Sequence, residues 1–159
     1  YSVEDQPMGT GGATAHAVAE RLMGNSTHVL NGDTYLRYSP DLLELRTREA
    51  RTTAGVALAQ VDNVSRYGAV IVSDGRVVSF EEKGGLGCGL INAGSYFLSN
   101  SALAILGRQS APFSLETELL MPLARERQIA AFIDTEQFID IGVPEDYELA
   151  QSLLGGRLP

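Results

Sequence analysis

The chain has 159 residues, 44% of them hydrophobic, so it can bury a sizeable core and is most simply one domain or a large piece of one. Twenty acidic residues against 12 basic ones give a formal charge of -8, and no lysine or arginine run could track a phosphate backbone, which argues against nucleic acid as a partner. The single cysteine, Cys88, excludes an internal disulfide framework, two isolated histidines cannot build a Cys/His zinc cluster, and no apolar stretch reaches a membrane span, so a reducing cytoplasm without membrane contact is the expected setting.

Tyr1 to Asp5 reads as the end of a strand, with no initiator methionine, and the expectation is that an N-terminal portion of the same protein precedes it. Pro7-Met8-Gly9-Thr10-Gly11-Gly12-Ala13 then stands between this strand and a helix over Ala13 to Met23. No lysine follows its last glycine, so the P-loop pattern fails, and the spacing misses the dinucleotide fingerprint. Two readings stay open: a helix-entry turn, or a backbone on which a planar base can lie.

Thr27 to Asn31 reads as a short central strand, and Asn31-Gly32-Asp33 follows it. A carboxylate at that strand end lies where open α/β sheets bind ligands, although a turn aspartate is the simpler alternative. Ser39-Pro40 predicts a capped helix to about Arg48, followed by a strand over Thr53 to Val61. Tyr67 to Ser73 and Arg76 to Glu82 flank an Asp-Gly turn and read as a hairpin, which is a candidate contact for a homodimer if it projects.

Glu81-Glu82-Lys83 ends that hairpin as a solvated strand end, or as a group in which Lys83 neutralises a phosphate and Glu82 accepts sugar hydroxyls. After the glycine-rich stretch 84–89, the apolar strand Leu90 to Leu98 is interrupted by Asn92-Ala93-Gly94, which marks a bulge or a close ligand approach. Ser114 predicts a cap for a helix over Leu115 to Arg127. Two short strands follow, Ile129 to Ile133 and Phe138 to Ile141, the second carrying Asp140. Pro144 opens a last helix that stops at Gly155-Gly156. Asp33 and Asp140, both at strand ends, form a carboxylate pair suited to Mg²⁺, which takes one or two carboxylates and completes its shell with phosphate oxygens and water.

Read in order, six segments resemble the sugar-1-phosphate nucleotidyltransferases over nearly the whole chain. They are Glu4-x-x-Pro7-Met8-Gly9-Thr10-Gly11-Gly12-Ala13; Leu30-Asn31-Gly32-Asp33; Tyr67-Gly68 with Val77-x-x-Phe80-x-Glu82-Lys83; Ile91-Asn92-Ala93-Gly94-Ser95-Tyr96; Phe113-Ser114-Leu115-Glu116; and Asp140-Ile141-Gly142-Val143-Pro144-Glu145-Asp146-Tyr147. Within that family, Gly-Thr-Gly-Gly-Ala and Glu-Lys-Gly-Gly are most similar to the D-glycero-α-D-manno-heptose 1-phosphate guanylyltransferases. The mannose-1-phosphate enzymes usually have proline after the lysine.

The resemblance implies a Rossmann-like mixed, mainly parallel sheet with helices on both faces. Residues 1–159 would be the C-terminal two-thirds of one domain, without its first strands. It further implies that Glu4, Pro7, Gly9, Thr10, Gly11 and Gly32 face the nucleotide and that Asp33 and Asp140 hold Mg²⁺. Lys83 would meet the sugar 1-phosphate, and Tyr67, Gly68, Glu82, Asn92, Ala93 and Gly94 would line the sugar pocket. The implied reaction is attack of a sugar 1-phosphate on GTP, releasing pyrophosphate. A mannose-1-phosphate enzyme, or a non-catalytic sugar-nucleotide-binding regulatory subunit, is the alternative. The family's glycine-rich N-terminal loop, which carries the triphosphate and a basic catalytic residue, does not occur in these residues, so the chain alone is expected to be inactive.

Overall fold

Ala54 to Ala59 are buried without a break, which is the pattern of a strand covered on both faces. A computed structural model describes residues 1–20, 24–142 and 144–154 and places this run, β3 (Ala54–Val61), inside a six-stranded sheet. Its companions are β1 (Thr27–Leu30), β4 (Val70–Ser73), β5 (Arg76–Phe80), β6 (Gly89–Leu98) and β7 (Ile129–Phe132), in the order β1-β6-β3-β7-β5-β4. β2 (Thr34–Leu36) and β8 (Phe138–Asp140) form a separate antiparallel pair.

The mixed α/β architecture expected from the alternating periodicities is present. Among the described residues, parallel pairing is confined to β3 and β7, a smaller share than expected. The reason is β6, ten residues long, which runs antiparallel to both β1 and β3 and so separates two strands of common direction. The Asp-Gly hairpin forms as expected, with Asp74 and Gly75 both at positive φ and Ser73 paired to Arg76.

Helices cover both faces, as the pleat of β3 requires. Val56 and Leu58 pack toward α3 (Asn100–Leu106) and the segment containing Leu119, Leu120 and Leu123, while Ala57 on the opposite face joins Phe97 and Phe132 against Leu43 of α2 (Pro40–Glu49). Ser39 caps α2 as expected, its hydroxyl accepting from the Leu42 amide, with Pro40 in the first turn.

Several local expectations are corrected. Residues 1–5 form no strand, and the helix expected from Ala13 starts earlier, so that Gly9 to Gly12 are its first turn, α1 (Gly9–Ala19). The Gly11 and Gly12 amides donate to the Phe113 carbonyl, and a Cβ on Gly11 would meet the Phe113 ring and the Leu115 amide nitrogen. These glycines therefore admit a neighbouring chain segment. The helix over Leu115 to Arg127 is divided into a π-helical turn, Glu116–Leu120, and α4, Met121–Arg125. Pro122 has no N–H to return to Glu118, and the Met121 amide instead donates to the Glu116 carbonyl five residues back. Both β2 and α3 are additional to the expected elements. Ser99 caps α3 by accepting from the Ala102 amide. Leu22, Met23, Val143 and the Gly155-Gly156 stop lie outside the described residues, as does any end of α5 (Pro144–Leu154) beyond Leu154. No helix of the described residues is long and apolar enough to cross a membrane.

Candidate functional site

Two cavities meet at the end of β1, where the chain leaves the sheet through Asn31, Gly32 and Asp33. The first, about 520 Å³, is bounded by α1 through Thr10, Ala13 and Thr14 and by the Val29 to Asp33 segment. The second, about 290 Å³, is bounded by Tyr67, Lys83, Asn92, Tyr96, Ser114 and Glu116. Thr10, Asn31 and Leu115 line both and form the wall between them. A wider recess of about 570 Å³, bordered by Tyr67, Glu82, Lys83 and Glu116, continues outward from the second.

Local structure fixes these side chains. The Thr10 hydroxyl accepts from the Leu115 amide at 3.0 Å, tying α1 to the π-helical turn. Ser114 caps that turn by accepting from the Glu116 and Thr117 amides. In β6 the pairing with β3 slips between Asn92 and Ser95, a bulge that leaves Ala93 and Gly94 without ladder partners on β3. The bulge turns the Asn92 side chain into the second cavity, where its Oδ1 accepts from the Gly94 amide at 3.1 Å and its Nδ2 donates to the Tyr96 Oη at 3.0 Å. Tyr96 is only 5% exposed, and burial pushes its phenol up to about 12, against the lowering effect of the Asn92 hydrogen bond. It is a neutral hydroxyl at any physiological pH.

The two carboxylates are neighbours in backbone but not in lining. β2 and β8 pair Thr34 with Asp140, and the Ile141 amide donates to the Asp33 carbonyl at 2.9 Å. The Asp33 side chain borders the first cavity. Asp140 borders a smaller recess of about 100 Å³ with Arg66 and Asp146, its Oδ1 accepting from the Gly142 amide and its Oδ2 lying 3.8 Å from the Arg66 guanidinium. Arg66 also donates to Asp146 at 2.8 Å and lies over the Tyr67 ring, 5.2 Å from its centroid. Among the described residues, no group of three or more His, Cys, Asp or Glu side chains could hold a metal.

The remaining nominated residues divide. Thr10, Gly32, Tyr67, Glu82, Lys83 and Asn92 stand in cavity walls. Glu4 accepts from the Met8 amide at 2.9 Å and thereby ties down the entry to α1, where Pro7 and Gly9 are exposed. Gly11 is buried beneath Phe113, Gly68 packs against the Glu81 carbonyl, and the Ala93 side chain is fully buried with Ile91 and Ala59. Asn31, Tyr96, Ser114 and Glu116 were given no ligand-binding role from the sequence, Ser114 only that of a helix cap, though all occur in the quoted segments. The hydroxyl and amide of Tyr96 and Asn31, set in otherwise apolar strands, were the available signal.

The nucleotidyl transferase family model matches residues 1–155. The chain is 37% identical over 97% of its length to the D-glycero-α-D-manno-heptose 1-phosphate guanylyltransferase of Aneurinibacillus thermoaerophilus. It is 40% identical over 92% of its length to the protein of the same name from Campylobacter jejuni. It spans 66% and 63% of those two proteins. Among solved structures, HddC from Yersinia pseudotuberculosis complexed with GMP-PN superposes with a TM-score of 0.74 at 33% identity, over 95% of this chain and 64% of that one. With a matched family model over almost its whole length and relatives of this similarity, the chain belongs to the nucleotidyl transferase family.

Proposed function

We propose that the protein containing this chain transfers a guanylyl group from GTP to a sugar 1-phosphate, D-glycero-α-D-manno-heptose 1-phosphate by preference, releasing pyrophosphate. The observation that carries this reading is the pair of cavities sharing one wall, with Asp33 in one and Lys83, Tyr67 and Asn92 in the other. Two substrates that must meet at phosphorus need two adjoining sites. A polar cavity with an amide, phenols and an ammonium suits a phosphorylated sugar. The two heptose-1-phosphate guanylyltransferases among its relatives favour the same acceptor.

In this reading the nucleotide occupies the first cavity, beside Thr10 and Gly32, and the sugar 1-phosphate enters the second. Lys83 neutralises the attacking phosphate, while Asn92, Tyr67 and Glu82 hold the sugar. The work is positioning and charge neutralisation, so no protein nucleophile is needed. Asp33 and Asp140 would hold Mg²⁺ with hard carboxylate oxygens carried on adjoining backbone segments, once the Asp140 side chain leaves its separate recess for that of Asp33. When bound, the ion would offset charge on the phosphate oxygens. Its capture requires Asp140 to exchange its contact with Arg66. We place the protein in the cytoplasm, and we assign the triphosphate grip to a segment outside these residues, since the chain spans about two thirds of its relatives.

The test is pyrophosphate release by the full-length protein from GTP and the heptose 1-phosphate, with mannose 1-phosphate as competitor. Turnover with the heptose substrate at the higher kcat/KM is expected. Tight binding of GDP-heptose without turnover would replace the enzyme with a binding subunit.

A further inference from the structure

A sugar 1-phosphate shows its pocket two chemistries, a dianion at one carbon and hydroxyl donors at the others. In the second cavity Lys83 suits the dianion, and the acceptors available to the hydroxyls can be counted. The Thr10 oxygen accepts from the Leu115 amide, the Ser114 oxygen from the Glu116 and Thr117 amides, and Asn92 Oδ1 from the Gly94 amide. These oxygens already hold the fold.

Glu116 differs from them. Among the described residues it is the only carboxylate lining the second cavity, and it also borders the outer recess. Its side chain is exposed, and among the described residues its carboxylate takes part in no hydrogen bond and no ion pair. The backbone beneath it is fixed, since its amide donates to Ser114 Oγ at 3.2 Å and its carbonyl accepts from the Met121 amide. Its charge is felt inside the cavity, where burial first and then Glu116 push the Tyr96 phenol up. Lys83, in the same wall, forms no ion pair among the described residues. One cation and one anion thus face a single cavity, each free for a ligand.

We propose that Glu116 is a specificity-determining residue of the sugar site, accepting from the sugar's hydroxyls and repelling a second phosphate, so that sugar monophosphates are taken and bisphosphates rejected. The inference rests on the proposed function and deepens it. A hydroxyl meeting a carboxylate makes a short, charge-assisted hydrogen bond. A phosphate in the same place meets like charge with water partly excluded. Glu82, bordering the outer recess with Glu116, adds to that repulsion. The opposed charges also orient the substrate, with its phosphate toward Lys83 and its hydroxyls toward Glu116.

The experiment measures pyrophosphate release by the full-length protein from GTP and D-glycero-α-D-manno-heptose 1-phosphate, with mannose 1,6-bisphosphate as inhibitor. Glu116→Gln is expected to raise the KM for the heptose 1-phosphate about fivefold to tenfold, while the KM for GTP changes less than about twofold. Inhibition by mannose 1,6-bisphosphate should strengthen about fivefold in the same variant. Changes of opposite sign cannot come from general damage to the fold. Glu116→Asp, which keeps the charge, should leave the bisphosphate excluded. An unchanged KM for the heptose 1-phosphate in Glu116→Gln, or shifts of both ligands in the same direction, overturns the assignment. Calorimetry on the unaltered protein should show mannose 1-phosphate binding about fivefold or more tightly than mannose 1,6-bisphosphate. Equal or tighter binding of the bisphosphate overturns the assignment even if the variants fail to fold. Absence of pyrophosphate release from the unaltered protein with any sugar 1-phosphate removes the proposed function instead, and this inference with it.

Discussion

Gly11 and Gly32 lie in segments that look alike in sequence and differ in what surrounds them. A Cβ on Gly11 would meet the Phe113 ring and the Leu115 backbone, whereas a Cβ on Gly32 would find nothing within 4 Å. Gly11→Ala should therefore cost about 1–3 kcal/mol, read as a lowered denaturant midpoint. Gly32→Ala should leave that midpoint alone. Loss of nucleotide affinity in the Gly32 variant would then report contact with the ligand rather than damage to the fold. Asp33→Asn should remove most turnover while the melting temperature holds, since its carboxylate borders a cavity and is exposed. Near-normal activity in that variant would take Asp33 out of the metal site.

Tyr96 gives a pH prediction of definite sign. Its phenol is raised to about 12 by burial, above the unfolded value of 10.0, so the folded chain holds this proton longer. The stability is fully present below pH 10 and is lost as pH rises through about 12, amounting to roughly 2–3 kcal/mol. Denaturant titrations between pH 9 and 12 should show that fall, and Tyr96→Phe should flatten it. A fall of the same size in the variant would assign it to other groups.

At the scale of elements, Arg66 joins the loop before β4 to the end of β8 and to the first turns of α5 through Asp140 and Asp146. These groups are partly exposed, so the pairs contribute little to stability. Arg66→Ala should shift stability by less than about 1 kcal/mol. It should lower the Mg²⁺ concentration for half-maximal turnover, because the carboxylate loses a competing cation. An unchanged metal dependence would separate Asp140 from the ion. The π-helical turn shows the other way an element serves the site. An α-helix continued through Pro122 would leave the Glu118 carbonyl without its amide, and the wider turn that replaces it presents Ser114 and Glu116 to the second cavity.

For the whole molecule, the proposed reading assigns the grip on the triphosphate to a segment outside residues 1–159, and the prediction is correspondingly simple. Residues 1–159 expressed alone should release no pyrophosphate from GTP and sugar 1-phosphate under conditions in which the full-length protein does. Equal turnover by both would show that the cavities described here suffice.

Most strand and helix positions, the serine caps of α2 and of the π-helical turn, the Asp-Gly hairpin and the order of the six segments were legible from residues alone, because each depends on neighbours within a few positions, whereas β2, α3 and the division of the helix after Ser114 were not. The family followed from their order. Tertiary structure alone decided the rest. The direction of β6 between β1 and β3, the passage of Phe113 over Gly11, and the seating of Asn31 against Gly94 all join residues distant in the chain. A glycine that admits a neighbouring segment reads the same as one that admits a ligand, since the space left by a missing Cβ is filled only once the chain has packed.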